Sequence, residues 1–288
     1  MSFVHYRIVL KLLTPLHIGK RKYRNLMETR EYVPGRTLWG ALTARVTRDY
    51  FAGDPSKYEK IGNFLNQNFR FGYLWPSLDA KTPYFPWEHD DFDYLFKFGY
   101  MGQPIDYDRK STEEGQLHEV EYIGPKTRNG SQVYFIGDLW VKKDIHSENG
   151  NEEAKITINS RDLSLKDVFD SLQLGGERGY GWGRVKCEKL ENTGGNTIYE
   201  AKYELSEDEV ILRFKEDSFL PAHALAADWT TENGAISKEI SGPIEPLTGY
   251  EFKGGWNLVS PPICYVPGCK ITSEMKAKVG VYGILASI

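Results

Sequence analysis

The stretch LQLGGERGYGWGRVK, residues 172–186, packs Gly175, Gly176, Gly179, Gly181 and Gly183 around Glu177, Arg178, Tyr180, Trp182 and Arg184. Glycine reaches positive φ without steric penalty and lets another backbone or a ligand come close, at an entropic cost on folding. Such density marks a place where the chain needs bare backbone. Two readings are open. The glycine amides, with Arg178 and Arg184 beside them, form a loop that wraps a phosphate backbone, leaving Tyr180 and Trp182 to stack on bases. Alternatively the stretch is a tight turn with bulges feeding a strand from Arg184 to Leu190, in which two rings two residues apart share one face. No Gly-Lys-Ser/Thr follows, and no dinucleotide fingerprint is present.

Working outward, Leu163, Leu165, Val168, Phe169 and Leu172 form a short amphipathic helix that ends at the glycines. At the start of the chain Tyr6, Ile8, Leu10 and Leu12 alternate with His5, Arg7, Val9 and Lys11, the period of a strand with one buried face. TPLHIG, 14–19, breaks it. Lys20, Arg21, Lys22, Arg24 and Arg30 then stand against Glu28 alone, a basic patch suited to salt-sensitive phosphate binding, although long cationic stems also cover core edges with their heads in water. After Pro34, Leu38, Leu42 and Val46 repeat at helical spacing, capped by Thr37 or Gly35, so the opening reads as βαβ-like with a basic loop. A second helix runs into a strand near Phe69 to Trp75, Pro76 to Asp93 is an irregular insert, and LHEVEYI, 117–123, pairs with SQVYFIGDLWVK, 131–142, as a hairpin. ENTGGNT, 191–197, is the best domain boundary. Beyond it Tyr203 to Phe214 is extended and Ala222 to Trp229 short and helical. YVPG occurs twice, at 32–35 and 265–268, an echo that two related halves would explain.

The totals narrow the function. With 36 basic and 40 acidic residues the formal charge is −4, so a nucleic-acid site must be a local patch rather than a global field. Aromatic residues at 14% exceed what a minimal core demands, which points to rings at interfaces or stacking surfaces. Cys187, Cys264 and Cys269 form an odd set without a CxxC, against a disulfide scaffold or structural zinc and consistent with a reducing cytoplasm. The first residues read as a strand rather than a signal peptide, and no apolar run is long enough to span a membrane.

Three motifs in order, TPLHIG (14–19), YVPGRTLWGAL (32–42) and LQLGGERGYGWGRV (172–185), resemble the RAMP superfamily of CRISPR-associated proteins. That family has an opening strand ending in a Pro-Leu-x-x-Gly turn, a helix opened by Pro-Gly-Ser, and a glycine-rich loop. The resemblance implies an α+β architecture of tandem ferredoxin-like, RNA-recognition-type domains, here 1–190 with an insert at about 76–115 and a smaller one at 197–288. It implies a noncatalytic subunit of a type III effector complex that binds guide RNA (crRNA), with a large subunit and backbone RAMP subunits as partners. The second YVPG, the ending GVYGILAS and the acidic LHEVEYI resemble the subunits that cap the 5′ tag of the guide. The RNA-binding set expected on this basis is Lys20, Arg21, Lys22, Arg24, Arg36, Gly175, Gly176, Arg178, Gly179, Tyr180, Gly181, Trp182, Gly183 and Arg184. Arg36 and Thr37 stand where the family often has Ser and a small residue.

Two enzymatic readings accompany it. Backbone subunits that cleave target RNA through a loop aspartate make Asp106, Asp108 and Asp138 the carboxylates to test. Guide-processing relatives cleave without metal through a general base, for which His17 is the candidate, with Lys22 or Tyr23 as helper; its bland role is a turn histidine bonded locally. His118 and Glu119 point to opposite faces of a strand and cannot share an ion, so neither metal nor cofactor is expected.

Overall fold

The computed structural model describes residues 3–102, 105–106, 111–112, 118–147, 155–158, 160–193, 197–199, 201–206, 208–229, 239–252, 256–258 and 262–288. The chain opens with β1 (Phe3–Leu12) and a hairpin of β2 (Gly19–Tyr23) and β3 (Leu26–Thr29), followed by α1 (Gly35–Tyr50), α2 (Pro55–Asn68), β4 (Phe69–Phe71) and β5 (Trp75–Ser77). Then come α3 (Phe92–Phe96), β6 (Lys97–Gly102), β7 (His118–Ile123), β8 (Tyr134–Lys142), α4 (Leu165–Phe169) and β9 (Val185–Asn192).

The central sheet has the order β9-β1-β8-β4, every neighbouring pair antiparallel, with β5 also on β8. β1 and β4 both run against β8, so they are parallel to each other, and α1 and α2 make the crossover between them; α4 precedes the far edge strand β9. This split βαβ arrangement is ferredoxin-like. The basic segment expected as a loop after β1 is the β2–β3 hairpin.

Both faces of β1 are buried, where alternation predicts one. Tyr6, Ile8, Leu10 and Leu12 pack among Leu38, Leu42 and Val46 of α1, while Phe3 and Val9 pack on the opposite face with Trp75, Trp140 and residues of the second half such as Leu212 and Phe214. That second half is a seven-stranded sheet ordered Lys202–Leu205, Val210–Phe214, Met275–Val279, Leu285–Ala286, Ala224–Leu225, Ile263–Tyr265, Ile244–Pro246. The aromatic surplus is spent at this junction: Tyr32, Tyr73, Trp75 and Trp140 are all buried, and the Trp75 indole donates to the Pro221 carbonyl at 3.0 Å. The chain is α+β and compatible with tandem ferredoxin-like domains. Of the boundary segment, residues 194–196 lie outside the described residues.

Three local expectations are corrected. β7 pairs with β6 along its length and with β3, in a sheet ordered β2-β3-β7-β6, whereas β8 lies in the central sheet; the 117–123 and 131–142 segments are not a hairpin, because each finds a longer partner elsewhere. Neither Thr37 nor Gly35 caps α1: Pro34 is the N-cap, without a side-chain hydrogen bond, and Gly35 is needed because a Cβ there would strike the Tyr282 carbonyl. Ala222 to Trp229, expected as a short helix, is the strand Ala224–Leu225 before a 3-10 turn at Ala226–Trp229.

Candidate nucleic-acid interface

The glycine loop is a turn tied to the start of the chain. The Gly176 amide donates to the His17 carbonyl at 2.9 Å, the Gly183 amide to the Pro15 carbonyl at 2.6 Å, and the Leu13 amide to the Arg184 carbonyl at 2.9 Å. Arg184 N–H donates to the Thr14 hydroxyl at 2.9 Å. TPLHIG and the glycine stretch, some 160 residues apart in sequence, therefore form one unit. Gly175 and Gly183 adopt positive φ, and a Cβ at either would collide with a backbone carbonyl, of His17 and of Leu174 respectively; at Gly179 and Gly181 the space is open. Two glycines are thus required by the loop's own packing, while the Gly181 amide is spent within the turn on the Arg178 carbonyl at 3.0 Å. The Gln173 side-chain amide donates to the Arg178 and Trp182 carbonyls at 3.0 and 2.9 Å and closes the turn.

Within the loop Arg178–Tyr180 form a 3-10 turn, so Tyr180 and Trp182 do not share a strand face as alternation predicts. Tyr180 is 73% exposed. Trp182 is half-buried and lies against the β6–β7 pair, 5.0 Å from the Tyr122 ring and 5.9 Å, edge-on, from Tyr100. Tyr100 pairs with Val120, Phe98 with Tyr122 and Gly102 with His118, which places these side chains on one sheet face. Between that face and the loop runs a cleft of about 320 Å³ lined by Tyr100, His118, Tyr122, Glu177, Tyr180 and Trp182. Tyr100, Tyr122 and His118 were not among the expected RNA contacts; their signal, an aromatic alternation in β6 and β7, is visible in the sequence but gains meaning only when the loop folds over it. β6 comes from the segment expected as an insert.

The expected cations divide into two groups. Lys20 pairs with Glu31 at 3.1 Å and Arg21 with Glu28 at 2.6 Å; the Arg21 hydrogen bond holds the Glu28 carboxyl below its usual range. Lys22, Arg24, Arg178 and Arg184 have no carboxylate partner among the described residues. Arg30 faces inward, its guanidinium 2.5 Å from Glu245. Arg36 is half-buried and stacks over the Tyr282 ring at 5.0 Å. Burial raises the pKa of the Tyr58 phenol on α2, and the charges of Arg178 and Arg36 oppose that rise, so the helix opening and the glycine loop act on the same patch.

His17 is 7% exposed, its Nδ1 2.7 Å from the Glu121 carbonyl of β7. It joins the turn to the sheet, a fixed and sheltered placement unsuited to a base that must reach a 2′-hydroxyl. Asp138 is no loop aspartate: it lies in mid-β8 with 0% exposure, one oxygen 2.8 Å from His5 Nε2 and the other accepting from the Ile198 amide at 2.9 Å. A carboxylate so enclosed cannot meet an RNA strand. Asp106 lies in the two-residue strand Ile105–Asp106; Asp108 is outside the described residues. No group of three metal-ligating side chains occurs among the described residues, and no helix among them is long and apolar enough to cross a membrane.

The sequence profile of the RAMP superfamily matches residues 9–186, more than half of the chain and the span that holds the loop, the turn and the cleft. Among solved structures, a chain of the Type III-B Cmr-beta complex bound to cognate target RNA and AMPPnP superposes with a TM-score of 0.54 at 13% identity, covering 92% of this chain and 85% of that one. A chain of the Cmr-beta complex bound to cognate target RNA gives 0.53 at 12% identity, covering 92% and 86%. No curated protein matches.

Proposed function

Because the chain belongs to the RAMP superfamily, we propose that it is a noncatalytic guide-RNA-holding subunit of a type III CRISPR effector complex, positioned at the 5′ tag of the guide beside a large subunit and backbone RAMP subunits. The observation that carries the reading is the single surface made by the glycine loop, the TPLHIG turn and the β2–β3 hairpin: open space around Gly179 and Gly181, four cations without carboxylate partners, and an aromatic cleft. Cations grip phosphates without regard to sequence, and rings stack unpaired bases. The proposed division of the chain is 1–190 for this surface and 197–288 for a unit that braces it. The likeness in fold to chains of RNA-bound Cmr-beta complexes supports the type III assignment.

Copurification of tagged protein from its native host, with sequencing of bound RNA and identification of bound proteins, tests it. The expected result is short RNAs sharing one 5′ tag, together with a large subunit and further RAMP proteins. Protein recovered without RNA or partners refutes it.

A further inference from the structure

Glu177 stands where the loop's own logic calls for glycine. Gly175, Gly181 and Gly183 occupy the positive-φ positions around it, yet Glu177 is itself left-handed, at φ 52° and ψ 27°. A side chain held in that region carries backbone strain that a glycine would not; the turn imposes it, the Glu177 carbonyl accepting from the Tyr180 and Trp182 amides at 3.0 and 3.4 Å, and it fixes the direction in which the side chain leaves the loop. Its carboxylate has no hydrogen bond or ion pair among the described residues, although it lines the aromatic cleft. An acceptor-only group is therefore held, at a conformational cost and without a protein donor, in the wall of a pocket made of rings.

We propose that this cleft binds one unstacked nucleobase and that Glu177 selects guanine. This rests on the RNA-binding reading above and names what the site reads. A carboxylate repels phosphate, so the backbone stays outside with Arg178 and the hairpin; Glu119 N–H donates to the Asn25 carbonyl at 2.8 Å, which sets the hairpin tip, with Arg24, at the end of β7 where His118 lines the cleft. The base enters edge first. Guanine alone offers two adjacent donors, N1–H and N2–H, that both oxygens of a carboxylate accept together, whereas adenine and cytosine each present an acceptor beside their amine and uracil a single N–H between two acceptors. The half-buried rings of Trp182 and Tyr122 and the exposed rings of Tyr100 and Tyr180 supply the stacking faces. A cationic side chain from a partner protein also suits rings and a carboxylate, but the unneutralised arginines and lysine around the cleft favour a polyanion.

The test uses the full-length protein, tryptophan fluorescence and four eight-nucleotide RNAs, an oligouridine and its variants with one central G, A or C. The wild type is expected to bind the G variant about 10-fold tighter than the others, the discrimination of one bidentate contact. Glu177→Gln is expected to bring the preference below about 3-fold without weakening the binding of oligouridine, which the lost carboxylate had opposed. Glu177→Gly, which relieves the left-handed strain and so keeps the loop folded, is expected to do the same with undiminished thermal stability. Equal binding of all four RNAs by the wild type, or a preference that survives both variants, overturns guanine selection and leaves the RNA-binding reading standing. Fluorescence quenching by N-acetyl-arginine amide without base preference assigns the cleft to a protein cation and also overturns it. Failure to bind any RNA at low salt removes the broader reading, and guanine selection with it.

Discussion

If Lys22, Arg24, Arg178 and Arg184 are the cations that face RNA phosphates, the salt dependence of binding counts them. Each phosphate neutralised on single-stranded nucleic acid contributes about −0.7 to the slope of log K against log salt, so four contacts give about −2.8, and raising salt from about 50 to about 200 mM weakens binding about 50-fold. Arg24→Ala or Arg178→Ala should bring the slope to about −2.1. Arg21→Ala should leave it nearly unchanged, because Arg21 is already neutralised by Glu28 at 2.6 Å. Glu28→Gln makes the opposite prediction: it frees Arg21, steepens the slope to about −3.5 and tightens binding at low salt. Fluorescence anisotropy of a labelled single-stranded RNA, titrated at five salt concentrations for each variant, measures all of these. An Arg21→Ala slope that falls as much as that of Arg24→Ala, or a Glu28→Gln slope no steeper than wild type, refutes the division into paired and unpaired cations.

Gly175→Ala and Gly183→Ala should each destabilise the protein by on the order of 2 kcal/mol or more, since alanine would combine positive φ with a backbone collision; Gly179→Ala, in open space, should be tolerated, and urea denaturation of the three variants decides it. Acid should loosen the junction between the halves through His223 and Glu245, whose Nε2 and carboxylate are 2.7 Å apart beside Arg30. Burial lowers the His223 pKa, while at Glu245 burial works upward but the His223 hydrogen bond and the Arg30 charge outweigh it and hold the carboxyl at about 2. Both folded values lie below the unfolded ones, so stability should fall as pH drops below about 6.5 for the histidine, and further from about 4.3 toward 2 for the carboxylate. Glu245→Gln, which leaves Arg30 buried without its counter-charge, should cost about 3 kcal/mol at pH 7 and flatten the acid limb; midpoints that move in parallel with wild type from about pH 5 down to about pH 2 contradict this.

The parts of the fold legible in the sequence are those set by neighbours in the chain. The strand β1 and the stripe of Leu38, Leu42 and Val46 stand where the residue period placed them, while of the helix expected over Leu163, Leu165, Val168, Phe169 and Leu172 only Leu165–Phe169 forms, Leu163 lying in the strand Arg161–Ser164. Pairing between distant strands was not legible. β7 and β8 each alternate and lie ten residues apart, the pattern of a hairpin, yet β8 is claimed by β1 over nine register pairs and β7 by β6 over six. The candidate site divides in the same way. The glycine loop announces itself, because at Gly175 and Gly183 only glycine meets the steric demands. That Arg21 is cancelled by Glu28 across the hairpin, or that Asp138 is consumed by His5 and the Ile198 amide, depends on contacts that composition does not reveal.

The burial of β1 on both sides explains why a site here must be peripheral. RNA-recognition-type sheets stack bases on an open sheet face, and in this chain that face is unavailable: α1 covers one side of the central sheet, and the second half covers the other through Phe3, Val9, Trp75 and Trp140. Whatever stacking surface remains has to be built outside the central sheet. The segment between β5 and β8 provides it, with β6 and β7 joining the basic hairpin in a second sheet whose aromatic face is roofed by Trp182 of the glycine loop. The four cations without carboxylate partners named above stand on the hairpin and the loop, the two elements that flank the cleft.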